Sequence, residues 1–121
     1  PHYIKIVENI DIPDFIESAK NIRYNNDFKK EGINVNYISI DEEVKIRTYE
    51  RGVEDETLSC GTGNVAAALC VAQTKNIDAG SINLITKGGN LNVYFTKKEN
   101  TYADIWLEGP AEFVFKGEIK I

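Results

Sequence analysis

The chain has 121 residues, a formal net charge of -5, 42% hydrophobic residues and 27% charged residues. This balance excludes a disordered or fibrous chain and fits one globular domain long enough to bury a core without disulfide or metal staples. The acidic excess also argues against a general nucleic-acid binder, which would carry a basic face.

Residues 2–7 alternate apolar and polar side chains and predict a half-buried strand. Asp11, with Pro13 two positions on, predicts a helix start, and Phe15, Ile16, Ala19 and Ile22 give that helix an apolar face ending near Asn25 and Asn26. Residues 33–40 and 44–49 predict two strands joined by the acidic turn Asp41-Glu42-Glu43. From about residue 63 to 75 a helix is expected. Its positions Val65 to Ala72 are apolar without interruption, which predicts burial on most sides and a path through the middle of the domain. Strands are predicted at 82–85, 91–95, 102–107 and 112–115, separated by turn signals at Gly88-Gly89-Asn90, Glu99-Asn100 and Gly109-Pro110. The order of elements predicts an α+β domain in which a curled, mostly antiparallel β-sheet or barrel wraps a central helix.

Cys60 stands immediately before Gly61-Thr62-Gly63 at the start of that helix. Unpaired backbone N–H groups and the positive end of the helix dipole favour thiolate there, so the sulfur is suited to moving protons or attacking carbon. Cys70, ten positions on, lies about 15 Å away at the helical rise, beyond the ~7 Å Cα separation that a disulfide spans. Its apolar neighbours assign Cys70 to the core. Two free thiols fit a reducing compartment. The run Val65 to Ala72 is too short to cross a bilayer, and residues 1–20 lack the basic region and apolar core of a secretion signal, so a cytoplasmic protein without a membrane partner is expected. Cys60, Cys70 and His2 show no metal-ligand spacing and no phosphate-loop ending follows Gly63, so neither a metal nor a nucleotide loop is expected.

Pattern alone leaves bland readings open. Cys60 could be a small buried hydrophobe, His2 a solvated side chain, Glu50-Arg51 an ion pair and Gly61-Thr62-Gly63 a plain helix cap.

Several separated segments occur in an informative order: Pro1-His2, Gly32-Ile33-Asn34-Val35-Asn36, Glu50-Arg51-Gly52, Cys60-Gly61-Thr62-Gly63, Gly88-Gly89 with Leu91, and Gly109-Pro110-Ala111. The set resembles the C-terminal half of the diaminopimelate epimerase family and spans nearly the whole chain. The resemblance implies a diaminopimelate-epimerase-like C-terminal domain over residues 1–121, with the N-terminal domain that carries the other catalytic cysteine absent from this chain. It implies an isomerase that uses no cofactor and converts LL-diaminopimelate to meso-diaminopimelate, a step toward lysine and peptidoglycan precursors. The partners it implies are the small-molecule substrate and the missing domain, with room for a homodimer. One feature departs from the family pattern: the segment from Glu50 to Cys60 is one residue longer than the commonest spacing, with Glu54-Asp55 where a glycine is usual.

The resemblance also implies roles. Cys60 corresponds to the second of two proton-transferring thiols, and Glu50 would accept from the substrate α-ammonium and help take the proton from Cys60. His2 would assist the partner cysteine. Gly61 and Thr62 would offer backbone N–H groups to the α-carboxylate, while Asn34 and Arg51 would hold the distal end of the substrate. Cys60, Glu50 and His2 are thus the catalytic candidates, and Asn34, Glu50, Arg51, Gly61 and Thr62 the substrate-binding ones. Inversion needs an acid on the face opposite the base, so the isolated domain is expected to be inactive. A proline or hydroxyproline racemase ranks second, because those enzymes share the Cys-Gly-Thr-Gly turn but usually lack the preceding Glu-Arg-Gly. A stand-alone binding or assembly module without turnover is the third reading.

Overall fold

The computed structural model describes residues 1–121. In chain order the elements are β1 (His2–Ile6), α1 (Phe15–Arg23), β2 (Asn34–Ile40), β3 (Val44–Glu50), β4 (Asp55–Thr57), α2 (Gly61–Thr74), β5 (Ala79–Thr86), β6 (Gly89–Lys98) and β7 (Thr101–Glu108). The strands form one sheet in the order β1-β2-β3-β5-β6-β7, with β4 added to β3 off that path. The pairs β1/β2 and β3/β5 are parallel and the rest antiparallel, so the mixed sheet is mostly antiparallel, as expected.

Alternation along the strands divides the core between the two faces of the sheet. On one face Ile38, Val44, Ile46, Ile82, Leu84, Val93 and Phe95 pack against Ala67, Ala68, Val71 and Ala72 of α2. On the other, Val35, Tyr37 and Tyr49 pack against Phe15 and Ala19 of α1. Strand β2 is therefore covered on both faces, which accounts for the burial of its five inner residues.

Four expectations change. The segment before α1 is a turn, because Asn9 Oδ1 accepts the Asp11 N–H at 2.9 Å and the Ile12 N–H returns to the Ile10 carbonyl; the helix begins only after Asp14. Strand β4 interrupts what reads as a loop. The central helix is buried along one side only: Gly63, Asn64, Ala67, Ala68, Val71 and Ala72 are buried, while Val65, Ala66, Leu69 and Cys70 are half-buried. A sheet curled into a half-barrel covers one side of an apolar helix and leaves the other to whatever else packs there, so Cys70 lies at the margin of the core. The strand expected at 112–115 is absent; no neighbouring strand lies beside it, and Phe113, Val114 and Phe115 are fully exposed. No helix is long and apolar enough to cross a membrane.

Candidate active site

The strands on the α2 face change character along their length. Successive α2-facing positions read Val44, Ile46, Thr48 and Glu50 in β3, Ile38, Asn36 and Asn34 in β2, and Ile4 and His2 in β1. Each strand passes from apolar to polar toward the same end, and register aligns the polar positions, with His2 beside Asn34 and Asn36 opposite Thr48. The N-terminus of α2 lies over this polar end.

Strand β4 delivers it there. After β3 the chain turns through Gly52, whose φ of 90° suits a residue without a side chain, and returns antiparallel with Thr57 opposite Thr48. Leu58 is held by the β5–β6 turn, its carbonyl accepting the Gly88 N–H at 2.8 Å. Glu56 is fixed by Arg47 at 2.7 Å and Lys87 at 2.7 Å. Desolvation would raise the Glu56 pKa, but these cations hold it below the ordinary value.

Glu54 has a structural task. Glu54 adopts φ 58°, the left-handed region where a glycine is usual, and its carboxylate gathers four donors. These are the Gly52 N–H at 3.0 Å, Arg23 at 2.7 Å, the Tyr24 hydroxyl at 2.7 Å and the Tyr49 hydroxyl at 3.2 Å. Desolvation works against ionisation, yet these donors lower the Glu54 pKa to about 2. The turn after β3 is thus tied to the end of α1.

Cys60 is the N-cap of α2, in extended conformation and 8% exposed. Its carbonyl accepts both the backbone N–H and the side-chain amide of Asn64, at 2.9 and 2.8 Å. The N–H groups of Gly61, Thr62 and Gly63 have no intrahelical acceptor, no side chain caps them, and no acid sits in the first turn to offset the dipole. Cys60 Sγ lies 3.7 Å from Thr62 Oγ1, which lies 2.9 Å from His2 Nε2. On its other side His2 Nδ1 is 3.3 Å from Asn36 Nδ2. Burial and the nearby Arg51 guanidinium lower the His2 pKa, while Glu50 opposes them.

Of the other candidates, Asn34 and Arg51 form a second cluster, Gly61 opens α2, and the Glu50 side chain joins neither group by a hydrogen bond or ion pair. Asn34 Oδ1 accepts the Arg51 N–H at 2.9 Å, and Arg51 Nη1 donates to the carbonyls of Glu31 and Gly32 at 2.9 and 3.2 Å. Arg51 is not paired with Glu50, its Nε and Nη2 donate to no protein group, and the residue is exposed. His2, Thr62 and Cys60 are therefore brought into one chain, Asn34 and Arg51 into one cluster, and Cys70 into neither. The roughly 540 Å³ cleft lined by Ile10, Arg47, Ile85 and Lys87 among others contains none of the candidates; Thr62 and Arg51 lie on an open face instead.

Sequence reasoning missed Asn36, Thr48, Gly63, Glu54 and Asn64. For Asn36 a signal existed: an amide two positions from Asn34 in one strand shares its face.

Comparison with known proteins agrees with this architecture. The sequence model of the family described as diaminopimelate epimerase matches residues 1–114. The chain is 39% identical to the diaminopimelate epimerase of Flavobacterium psychrophilum, over 98% of this chain and 47% of that protein. It is 41% identical to that of Chlorobaculum tepidum, over 100% and 47%, and 42% identical to that of Methanocella arvoryzae, over 100% and 41%. The chain thus spans about half the length of the curated relatives it matches. Among solved structures, an Enterococcus faecalis protein of the PhzF phenazine-biosynthesis family superposes with a TM-score of 0.57 at 21% identity, over 84% of this chain and 35% of that one. A Pseudomonas aeruginosa protein described as a predicted epimerase superposes with a TM-score of 0.64 at 8% identity, over 84% and 34%. These likenesses bear on the fold alone. The chain belongs to the diaminopimelate epimerase family.

Proposed function

We propose that this chain is the C-terminal half of a diaminopimelate epimerase, a cytoplasmic isomerase that converts LL-diaminopimelate to meso-diaminopimelate and needs no cofactor. The supporting observation is Cys60 at the N-cap of α2, beside three N–H groups without intrahelical acceptors and joined through Thr62 to His2.

Removing an α-proton from an amino acid without an electron sink requires a base held close to the carbon and donors gathered around the carboxylate. Gly61 and Thr62 supply backbone donors for that carboxylate, and Cys60 Sγ exchanges the α-proton on one face. Glu50 accepts from the α-ammonium and assists Cys60. Arg51 and Asn34 bind the distal end, where the unengaged donors of Arg51 match a planar carboxylate. His2 assists the thiol of the complementary half, which approaches from the opposite face. That thiol is not Cys70, which lies about 15 Å along the helix from Cys60 and on its half-buried side. A homodimer of whole proteins is compatible with this arrangement and is not required by it.

The test is LL-to-meso conversion by the whole protein and by its Cys60→Ala variant. Conversion by the parent and none by the variant supports the reading; near-normal turnover by the variant removes Cys60 from the chemistry.

A further inference from the structure

Asn36 is fully buried on the α2 face of β2, and its amide is hydrogen-bonded at both ends. Its Oδ1 accepts the Thr48 hydroxyl at 2.8 Å. Its Nδ2 lies 3.2 Å from the Tyr3 carbonyl and 3.3 Å from His2 Nδ1. A hydroxyl can donate or accept, so Thr48 alone would not say which end of the amide is which. The Tyr3 carbonyl can only accept. The end beside it is therefore the NH2 group, and the ring nitrogen sharing that end must accept as well.

We infer that Asn36 is a positioning residue that fixes His2 in the tautomer with Nδ1 bare and the proton on Nε2. Thr62 Oγ1 then accepts from Nε2–H, which leaves the hydroxyl's own proton directed at Cys60 Sγ 3.7 Å away. The chain Thr48→Asn36→His2→Thr62→Cys60 donates in one direction throughout, ending on the sulfur, where a donor favours the thiolate. Gly63 belongs to the same device, since a Cβ there would lie 2.6 Å from Asn36 Oδ1 and push the amide out of place.

The tautomer follows from geometry alone. Its consequence, that His2 presents an N–H rather than a bare nitrogen toward the reacting groups, rests on the epimerase reading above. Asn36 touches no reacting group in that reading and acts only through His2.

The chain contains a single histidine, so the imaginable overlap of imidazole signals does not arise. Long-range proton–nitrogen NMR of the nitrogen-15-labelled 121-residue chain, at a pH well above the ordinary imidazole range, reads the tautomer directly. The expected result for the parent is an unprotonated Nδ1 and a protonated Nε2. In Asn36→Ala the Nδ1 partner is gone, and the two nitrogen shifts should move toward each other as the tautomers mix. A parent spectrum with the proton on Nδ1 overturns the inference whether or not any variant folds. An Asn36→Ala spectrum that keeps the parent pattern in a folded chain overturns it as well. Absence of epimerase turnover in the whole protein, with the Nε2–H tautomer intact, would count against the functional reading and leave the tautomer standing.

Discussion

Gly63 and Asn36 meet with no room for a methyl group between them: a Cβ on the glycine would stand 2.6 Å from the amide oxygen and 3.4 Å from Cys60 Sγ. The third residue of α2 is thus fixed by the inner strand of the sheet and by the thiol at once. Gly63→Ala should lower stability by about 1 to 3 kcal/mol, because the crowding outweighs the gain in helix propensity. Urea denaturation checks this. A variant as stable as the parent would mean that the amide does not sit against the helix.

Glu54 separates two contributions that usually travel together. Its φ of 58° is unfavourable for a side chain, while its carboxylate collects four donors. Both Glu54→Gly and Glu54→Ala lose the donors, but only the glycine relieves the backbone. The alanine variant should therefore be less stable than the glycine variant by roughly 1 kcal/mol. Equal stabilities would show that the left-handed conformation is not maintained.

Acid should weaken the fold through the same residue. The Glu54 pKa is depressed to about 2 from 4.5, so its contribution is complete above the ordinary value and is lost as pH falls toward the folded one. Glu56 and His2 are also depressed and push in the same direction, with His2 acting around and below its ordinary 6.5. The Glu54 side chain is 31% exposed. After allowance for solvent screening its share is about 1 to 2 kcal/mol. Stability measured against pH should fall less steeply in Glu54→Gln than in the parent between pH 4.5 and 2; parallel curves would assign the acid response elsewhere.

Arg51 offers a test of recognition independent of proton transfer. Its Nη1 is engaged by two backbone carbonyls, which leaves the other donors of the fork for a ligand. In the whole protein Arg51→Lys should raise KM for diaminopimelate about tenfold, since an ammonium cannot make the two-pronged contact. A change confined to kcat would move Arg51 from binding to chemistry.

Sequence pattern revealed the elements best where one period dominated. Strands β2 and β3 are legible because apolar residues recur at the spacing that burial demands, and the helix after Cys60 because an unbroken apolar run follows Gly61-Thr62-Gly63. The 112–115 segment shows the limit of that logic: its alternation fits a strand, but a strand needs a neighbour and alternation does not supply one. The uniform apolarity of residues 65–72 likewise says that the helix is suited to burial, without saying how far the sheet curls around it. Motifs singled out Cys60, Asn34, Glu50 and Arg51 as candidates, and of these the fold brings Asn34 and Arg51 together. Thr48 escaped because its importance comes from register, which sets it opposite Asn36 beneath the helix N-terminus. Glu54 escaped because an acidic residue in a turn looks solvated until its donors from Arg23, Tyr24, Tyr49 and Gly52 are in place.

The most direct test of the central claim follows solvent deuterium into the α-carbon of diaminopimelate together with LL-to-meso conversion. Three preparations are compared: this chain alone, this chain with the separately produced N-terminal half of a diaminopimelate epimerase, and the same pair carrying Cys60→Ala. Inversion needs groups on both faces of the carbon, so the chain alone should give no conversion, the pair should give conversion with deuterium incorporated, and the substituted pair should give none. Conversion by the chain alone, or by the pair lacking the Cys60 thiol, would contradict the account.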